Sequence, residues 1–173
     1  MVERHRYEGQ CVGEVLLALT HALLPFKQAL QRLLQRSGLA HIEPQMWYEI
    51  NQARRLCYGV LAEIGERTVF QAGFQMGGSA LWQTRSSKMA EMLQELDASC
   101  QGLLRGPHIG RMTVEFDDQR CAKLYCDVAL PCALMQGVLQ AKVKQLAPTA
   151  LVEHAEDGCR DKEADACTYL VSW

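Results

Sequence analysis

The sequence lacks any run of 18 apolar residues, which excludes a membrane-spanning helix. It lacks an excess of positive charge: 18 Lys and Arg stand against 20 Asp and Glu, and the net charge is -2. That argues against a nucleic-acid-binding surface, which is normally strongly basic. There is no internal repeat, low-complexity stretch or Pro/Ser-rich linker. There is no nucleophile elbow, Walker loop or dinucleotide fingerprint. The glycine-rich stretch Gly73-Phe-Gln-Met-Gly77-Gly78 lies inside helical sequence and not after a strand. No group of residues assembles a nucleophile, a base and an oxyanion hole, so an enzyme is the less favoured class.

What remains is an ordinary globular composition, 49% apolar and 22% charged over 173 residues, enough for one domain with a sizeable core. The eight cysteines, at 11, 57, 100, 121, 126, 132, 159 and 167, are unusual. The one signal-like stretch, Val15 to Leu24, follows Glu3, Glu8 and Glu14, contains His21 and lacks a small-residue cleavage site. A cytoplasmic chain with reduced thiols is the expectation.

The periodicity predicts an α+β fold in one domain. Residues 1–105 form a helical part and 106–173 a sheet part. Apolar spacing gives about four helices: Val12–Leu24, punctuated by Pro25 and continued at helical spacing from Phe26 to Gly38; one from Ile42-Glu43-Pro44 onward; Arg67–Leu81; and Ser87–Leu96. Gly73, Gly77 and Gly78 weaken the third of these. Met112–Phe116 and Cys121–Val128 alternate like a hairpin around Asp117-Asp118-Gln119. A helix from Pro131 to Pro148 precedes two further strands, Thr149–His154 and Thr168–Trp173. The helices pack on a mostly antiparallel sheet of about four strands, with one helix between two hairpins.

The segment from Cys132 to Cys167 carries the chemistry. Pairing of the last two strands brings Cys159 and Cys167 together across the mouth of their loop. Glu156 lies three residues before Cys159. Cys132 sits in the first turn of its helix, where a thiol loses its proton more easily. Three thiolates and one carboxylate form a closed set suited to zinc. Glu153 and His154 are rivals for the fourth position. The closed set reads as a structural clip and leaves no open position for water. Cys121 and Cys126, an odd number of residues apart on a strand, point to opposite faces, which disfavours a cluster with Cys132. Cys11, Cys57 and Cys100 read as buried structural thiols.

The order Pro131-Cys132-(x)4-Gly137, then Glu156-x-x-Cys159, then Cys159-(x)7-Cys167 resembles the 4-vinyl-reductase (hydrocarbon-binding) domain family. That family is related to the sensory domains of phenol- and xylene-responsive activators and to transport protein particle subunits. The resemblance covers 106–173 well and 1–105 vaguely. The last Cys-(x)7-Cys loop departs from the family by having no glycine. The resemblance implies a structural zinc held by Cys132, Glu156, Cys159 and Cys167, and a homodimer. It also implies an apolar pocket between helices and sheet for an aromatic, lipid-like or tetrapyrrole-like ligand. Phe74 and Trp82 are the candidates to line it, and His108, entering the hairpin, to hydrogen-bond the ligand. The expected function is a zinc-containing small-molecule carrier, chaperone or sensing subunit, with a possible protein partner. The alternatives are a subunit in tetrapyrrole biosynthesis and an interaction scaffold.

Overall fold

Helix termini explain how the chain begins. In the computed structural model, which describes residues 7–118, 120–155, 158–162 and 164–173, strand β1 (Glu8–Val12) runs directly into helix α1 (Gly13–Ala22). α1 has no capping side chain. Its first free N–H groups are satisfied by backbone instead: Gly13 N–H donates to the Met46 carbonyl at 2.8 Å, and Glu14 N–H to that of Pro44 at 2.9 Å. Pro44 therefore does not open a helix, as its position in the sequence predicts. The 44–46 segment is the cap of α1. It leads into a short strand, β2 (Trp47–Glu49), and only then does helix α3 (Ile50–Glu63) begin.

Helix α2 (Lys27–Ser37) ends where the sequence predicts. Gly38 takes φ 70°, a left-handed position that glycine adopts at little cost. Leu39 N–H closes the turn on the Leu34 carbonyl at 2.9 Å. Helices α4 (Glu66–Gly78) and α5 (Met89–Leu103) follow, and strand β3 (Leu104–His108) leaves α5 without a loop. The strands β1 and β3 were not expected. They build a small antiparallel sheet in the order β2-β1-β3, which adds to the sheet anticipated from the alternating segments.

That second sheet has the order β4-β5-β7-β6, all antiparallel. β4 (Met112–Phe116) and β5 (Cys121–Cys126) form the expected hairpin, with Val114 opposite Leu124. β5 alternates between half-buried and buried, as the period predicts. Helix α6 (Cys132–Leu146) crosses before β6 (Leu151–His154) and β7 (Cys167–Ser172). Among the described residues, six α-helices and two antiparallel sheets confirm the α+β class.

Helices α4 and α6 meet backbone to backbone. A Cβ at Gly73 or Gly77 would overlap the carbonyls of Leu134 or Val138, and one at Gly137 would overlap that of Phe70. The glycines that weaken α4 as an isolated helix are its contact points. α6 is in turn tied to the sheet by buried amides. Gln140 donates to the Ala150 carbonyl and accepts from Val152 N–H, each at 3.0 Å, while Gln136 donates to the Val152 carbonyl at 3.1 Å.

Candidate functional site: a thiol–imidazole cluster

Cys132, His154, Cys159 and Cys167 converge from four places in the chain. Cys132 opens α6, His154 ends β6, Cys167 opens β7, and Cys159 lies in the loop between those strands. One donor atom from each lies within 4.8 Å of every other. Strand register does most of this. Cys167 pairs with Cys126 on β5, and His154 with Tyr169 on β7. The His154 ring stands edge-on to Tyr169, centroids 5.0 Å apart. Tyr169 donates its hydroxyl to the Cys132 carbonyl at 2.9 Å, fixing the start of α6 against the sheet. The connecting loop folds back on itself through Thr168 N–H to Gly158 O (2.8 Å) and Ala164 N–H to Cys159 O (3.1 Å).

Cys159 and Cys167 are buried, and Cys132 and His154 are half-buried, so small molecules reach the cluster from their side. The Cys167 thiol is lowered to about 5 from its ordinary 9. A hydrogen bond with Cys132 is the largest cause. Burial opposes the shift, and a bond with His154, the Arg160 backbone N–H and the Arg160 charge support it. One negative charge is therefore held in the cluster at neutral pH. Cys11, Cys57 and Cys126 are each pushed up to about 12 by burial, and Cys100 well above its ordinary range. Those thiols stay protonated and inert. Among the described residues the His154 Nε2 is buried without a hydrogen-bond partner.

Beside the cluster lies a polar residue that sequence reasoning missed. Arg160 follows Cys159 in what reads as a solvated acidic turn, yet it is only 8% exposed. Its guanidinium donates to the carbonyls of Val128 and Leu130, in the loop that delivers Cys132, and to the Tyr7 hydroxyl at 2.9 Å. Tyr7 in turn donates to the Asp127 carbonyl at 2.9 Å. The thiol loop is thereby joined to the segment entering β1. The only sequence signal is a cation directly after a cysteine.

Of the predicted metal ligands, Cys132, Cys159 and Cys167 come together as expected. Glu156 lies outside the described residues. Of its two rivals, Glu153 is exposed on β6 and His154 joins the cluster. The predicted ligand contacts are placed apart. Phe74 is half-buried on α4 with its ring 6.4 Å from that of Phe70, Trp82 is buried after α4, and His108 is exposed on β3, 4.0 Å from Glu8. None of the three lines the cavity formed by the first two helices. That cavity is a groove of about 610 Å³ between α1 and α2, walled by Leu17, Ala18, Leu30, Leu34, Leu39 and Ile42, with the imidazoles of His21 and His41 beside them.

No protein-family model matches the chain, and no curated protein matches it. Solved structures do. An H-NOX protein from S. oneidensis in the Fe(II)NO state superposes with a TM-score of 0.72 at 10% identity, covering 93% of this chain and 98% of that one. A structure solved to probe haem distortion in the H-NOX family gives 0.69 at 14%, covering 93% and 94%. A mutant of T. tengcongensis H-NOX gives 0.64 at 14%, covering 91% and 92%. The chain has the fold of these haem-nitric oxide/oxygen-binding domains.

This corrects two expectations. The resemblance to 4-vinyl-reductase domains rested on cysteine spacing over the last third of the chain, whereas the fold matches H-NOX domains along nearly all of it. The structural zinc fails with it. The neighbours' names refer to haem iron. The donors here spread to 4.8 Å, wider than the roughly 3.8 Å between thiolates bound to zinc at about 2.3 Å each.

Haem needs an apolar slot and an axial imidazole, thiolate, thioether or phenolate. Among the described residues, His21, His41 and His108 lie at the surface, and His154 faces the thiols. Helix α5 carries no histidine, and its inward face of Met92, Leu93, Leu96 and Cys100 is packed shut, each 1% exposed or less. Cys100 is held protonated by burial. The histidines and Cys100 therefore supply no axial donor to an enclosed haem against α5, whose inward face leaves no slot.

Proposed function

We propose that this chain is a small-molecule-sensing domain on the H-NOX scaffold whose responsive centre is the Cys132–His154–Cys159–Cys167 cluster. The observation that carries the reading is the convergence of three thiols outside any disulfide and an imidazole around one stabilised negative charge. Its ligand class is a small two-electron oxidant such as a hydroperoxide.

Cys132 and Cys167 share a proton, and Cys132 is the more exposed of the two. The thiolate sulfur attacks the outer peroxide oxygen. The O–O bond breaks, hydroxide leaves and takes a proton from solvent, and a sulfenic acid forms. The neighbouring thiol then attacks that sulfur. A disulfide forms and water leaves, so two sulfurs have given one electron each to the peroxide. The His154 imidazole faces the cluster, where it holds the thiolate and passes the departing proton. Closing the bond draws the first turn of α6 toward β7 and loads the loop that Arg160 ties to Tyr7.

The test is intact and peptide mass spectrometry after titration with hydrogen peroxide. The expected result is a loss of two hydrogens, with the new bond inside the set Cys132, Cys159 and Cys167, at substoichiometric oxidant. Cys167→Ser is expected to slow it by about tenfold or more, since the thiolate is the nucleophile. Oxidation that begins at Cys121 or is indifferent to Cys167→Ser refutes the reading.

A further inference from the structure

The groove between α1 and α2 is chemically unlike the rest of the surface. Its walls are aliphatic: Leu17 and Ala18 from α1, Leu30 and Leu34 from α2, Leu39 and Ile42 from the segment that follows. Leu30 and Leu39 form a floor at 8% and 1% exposure. Leu24 continues the apolar surface outward at 46% exposure. Among the described residues, no phenylalanine, tyrosine or tryptophan lines it. A flat aromatic ligand would find no ring to stack on, whereas a flexible alkyl chain is matched by aliphatic side chains of any rotamer.

The polar lining is equally selective. It consists of His21, His41 and Thr20. The Thr20 hydroxyl is spent on the Leu17 carbonyl at 2.9 Å. His41 stands 3.8 Å from the Glu43 carboxylate. The side-chain nitrogens facing the cavity are thus imidazole groups, donors to an oxygen anion, and among the described residues no carboxylate lines it. About 610 Å³ lies within the range of small-ligand sites.

We propose that this groove binds a single-chain carboxylate amphiphile, with its alkyl chain along the α1–α2 floor and its carboxylate at His21 and His41. The site is separate from the thiol cluster and stands independently of it. It keeps the expectation of a hydrophobic ligand, in its lipid-like form, and changes its place.

The probe is 11-(dansylamino)undecanoic acid, whose emission rises and shifts to the blue in an apolar site. Saturable one-to-one binding in the micromolar range is expected. Ala40→Trp, at an exposed lining position, blocks the groove without touching the core and is expected to weaken binding about tenfold or more. His21→Ala is expected to weaken the acid about fivefold and to leave the matching alcohol unchanged. Cys167→Ser is expected to have no effect, so failure here is distinguishable from failure of the oxidant-sensing reading. Absence of saturable binding, equal binding by Ala40→Trp, or equal loss of acid and alcohol in His21→Ala overturns the proposal.

Discussion

Replacing Gly137 by alanine asks whether the α4–α6 contact sets the geometry of the domain. In most helices this change is favourable by about 1 kcal/mol, because alanine loses less backbone entropy. Here the new Cβ overlaps the Phe70 carbonyl, lies 2.7 Å from the Phe74 nitrogen and 3.1 Å from the Gly73 carbonyl carbon. All three are backbone atoms, so no rotamer relieves the contact and α6 must retreat from α4 as a body. Overpacking of a tight core costs about 1–3 kcal/mol, and a backbone contact belongs at the upper end. Subtracting the propensity gain leaves a net loss of about 2 kcal/mol. For a chain of this length that is a fall in Tm of roughly 4–8 °C. The control is Gly102→Ala on α5, where an added Cβ meets nothing within 4 Å. It is expected to stabilise by about 0.5–1 kcal/mol. Thermal and urea unfolding of both variants decide the matter. Shifts of the same sign would show that the glycines of α4 and α6 are not contact points.

Two further predictions concern the thiol site. Because the folded Cys167 titrates at about 5 and an ordinary thiol at about 9, its ionisation contributes fully above pH 9, shrinks as the pH falls and is gone below about 5. At pH 7 it amounts to about 2–3 kcal/mol. The stability difference between the wild type and Cys167→Ala, followed by urea unfolding, is therefore expected to grow from pH 5 to pH 9, and a flat difference rejects the stabilised thiolate. Arg160→Met removes the guanidinium from the Val128 and Leu130 carbonyls and from Tyr7; a loss of about 3 kcal/mol is expected, with faster amide exchange in residues 127–132, and unchanged exchange there would show that Arg160 does not hold the loop.

The parts of this fold that read clearly from sequence are those where side-chain period alone decides. The β4–β5 hairpin alternates strictly around its acidic turn, and the helix after Pro131 carries its own start and stop. The small sheet was illegible because β1 contains Gly9, runs straight into α1 and merges with its apolar stretch. Pro44 misled because a carbonyl that accepts from a distant helix end leaves no mark on local sequence. Gly73 and Gly77 were legible as the absence of a Cβ, but whether that weakens a helix or admits a neighbour depends on α6, far along the chain. At the site, the three thiols were legible from their spacing. His154 prevailed over Glu153 because the β6–β7 register sets it beside Tyr169.

A site and a scaffold are separate inheritances, and here they pointed in different directions. Cysteine spacing is a property of a loop and a helix start, so it recurs wherever three thiols are needed, whatever the fold around them. At 10–14% identity to its structural neighbours the chain keeps the arrangement of helices and sheets while almost every side chain has changed. What persists under such divergence is the backbone arrangement. What need not persist is the chemistry held inside. An α5 face closed by Met92, Leu93, Leu96 and Cys100 contributes core packing and no imidazole. The perturbed charge then sits beside the far end of β5, on Cys167. Through Arg160 the thiol loop is tied to Tyr7, which precedes the small sheet: the guanidinium donates to the Val128 carbonyl and to the Tyr7 hydroxyl, and that hydroxyl donates to the Asp127 carbonyl. The sensing role proposed above requires a responsive centre joined to a distant element, and the contacts of Arg160 with Tyr7 are a connection that starts from the thiol loop.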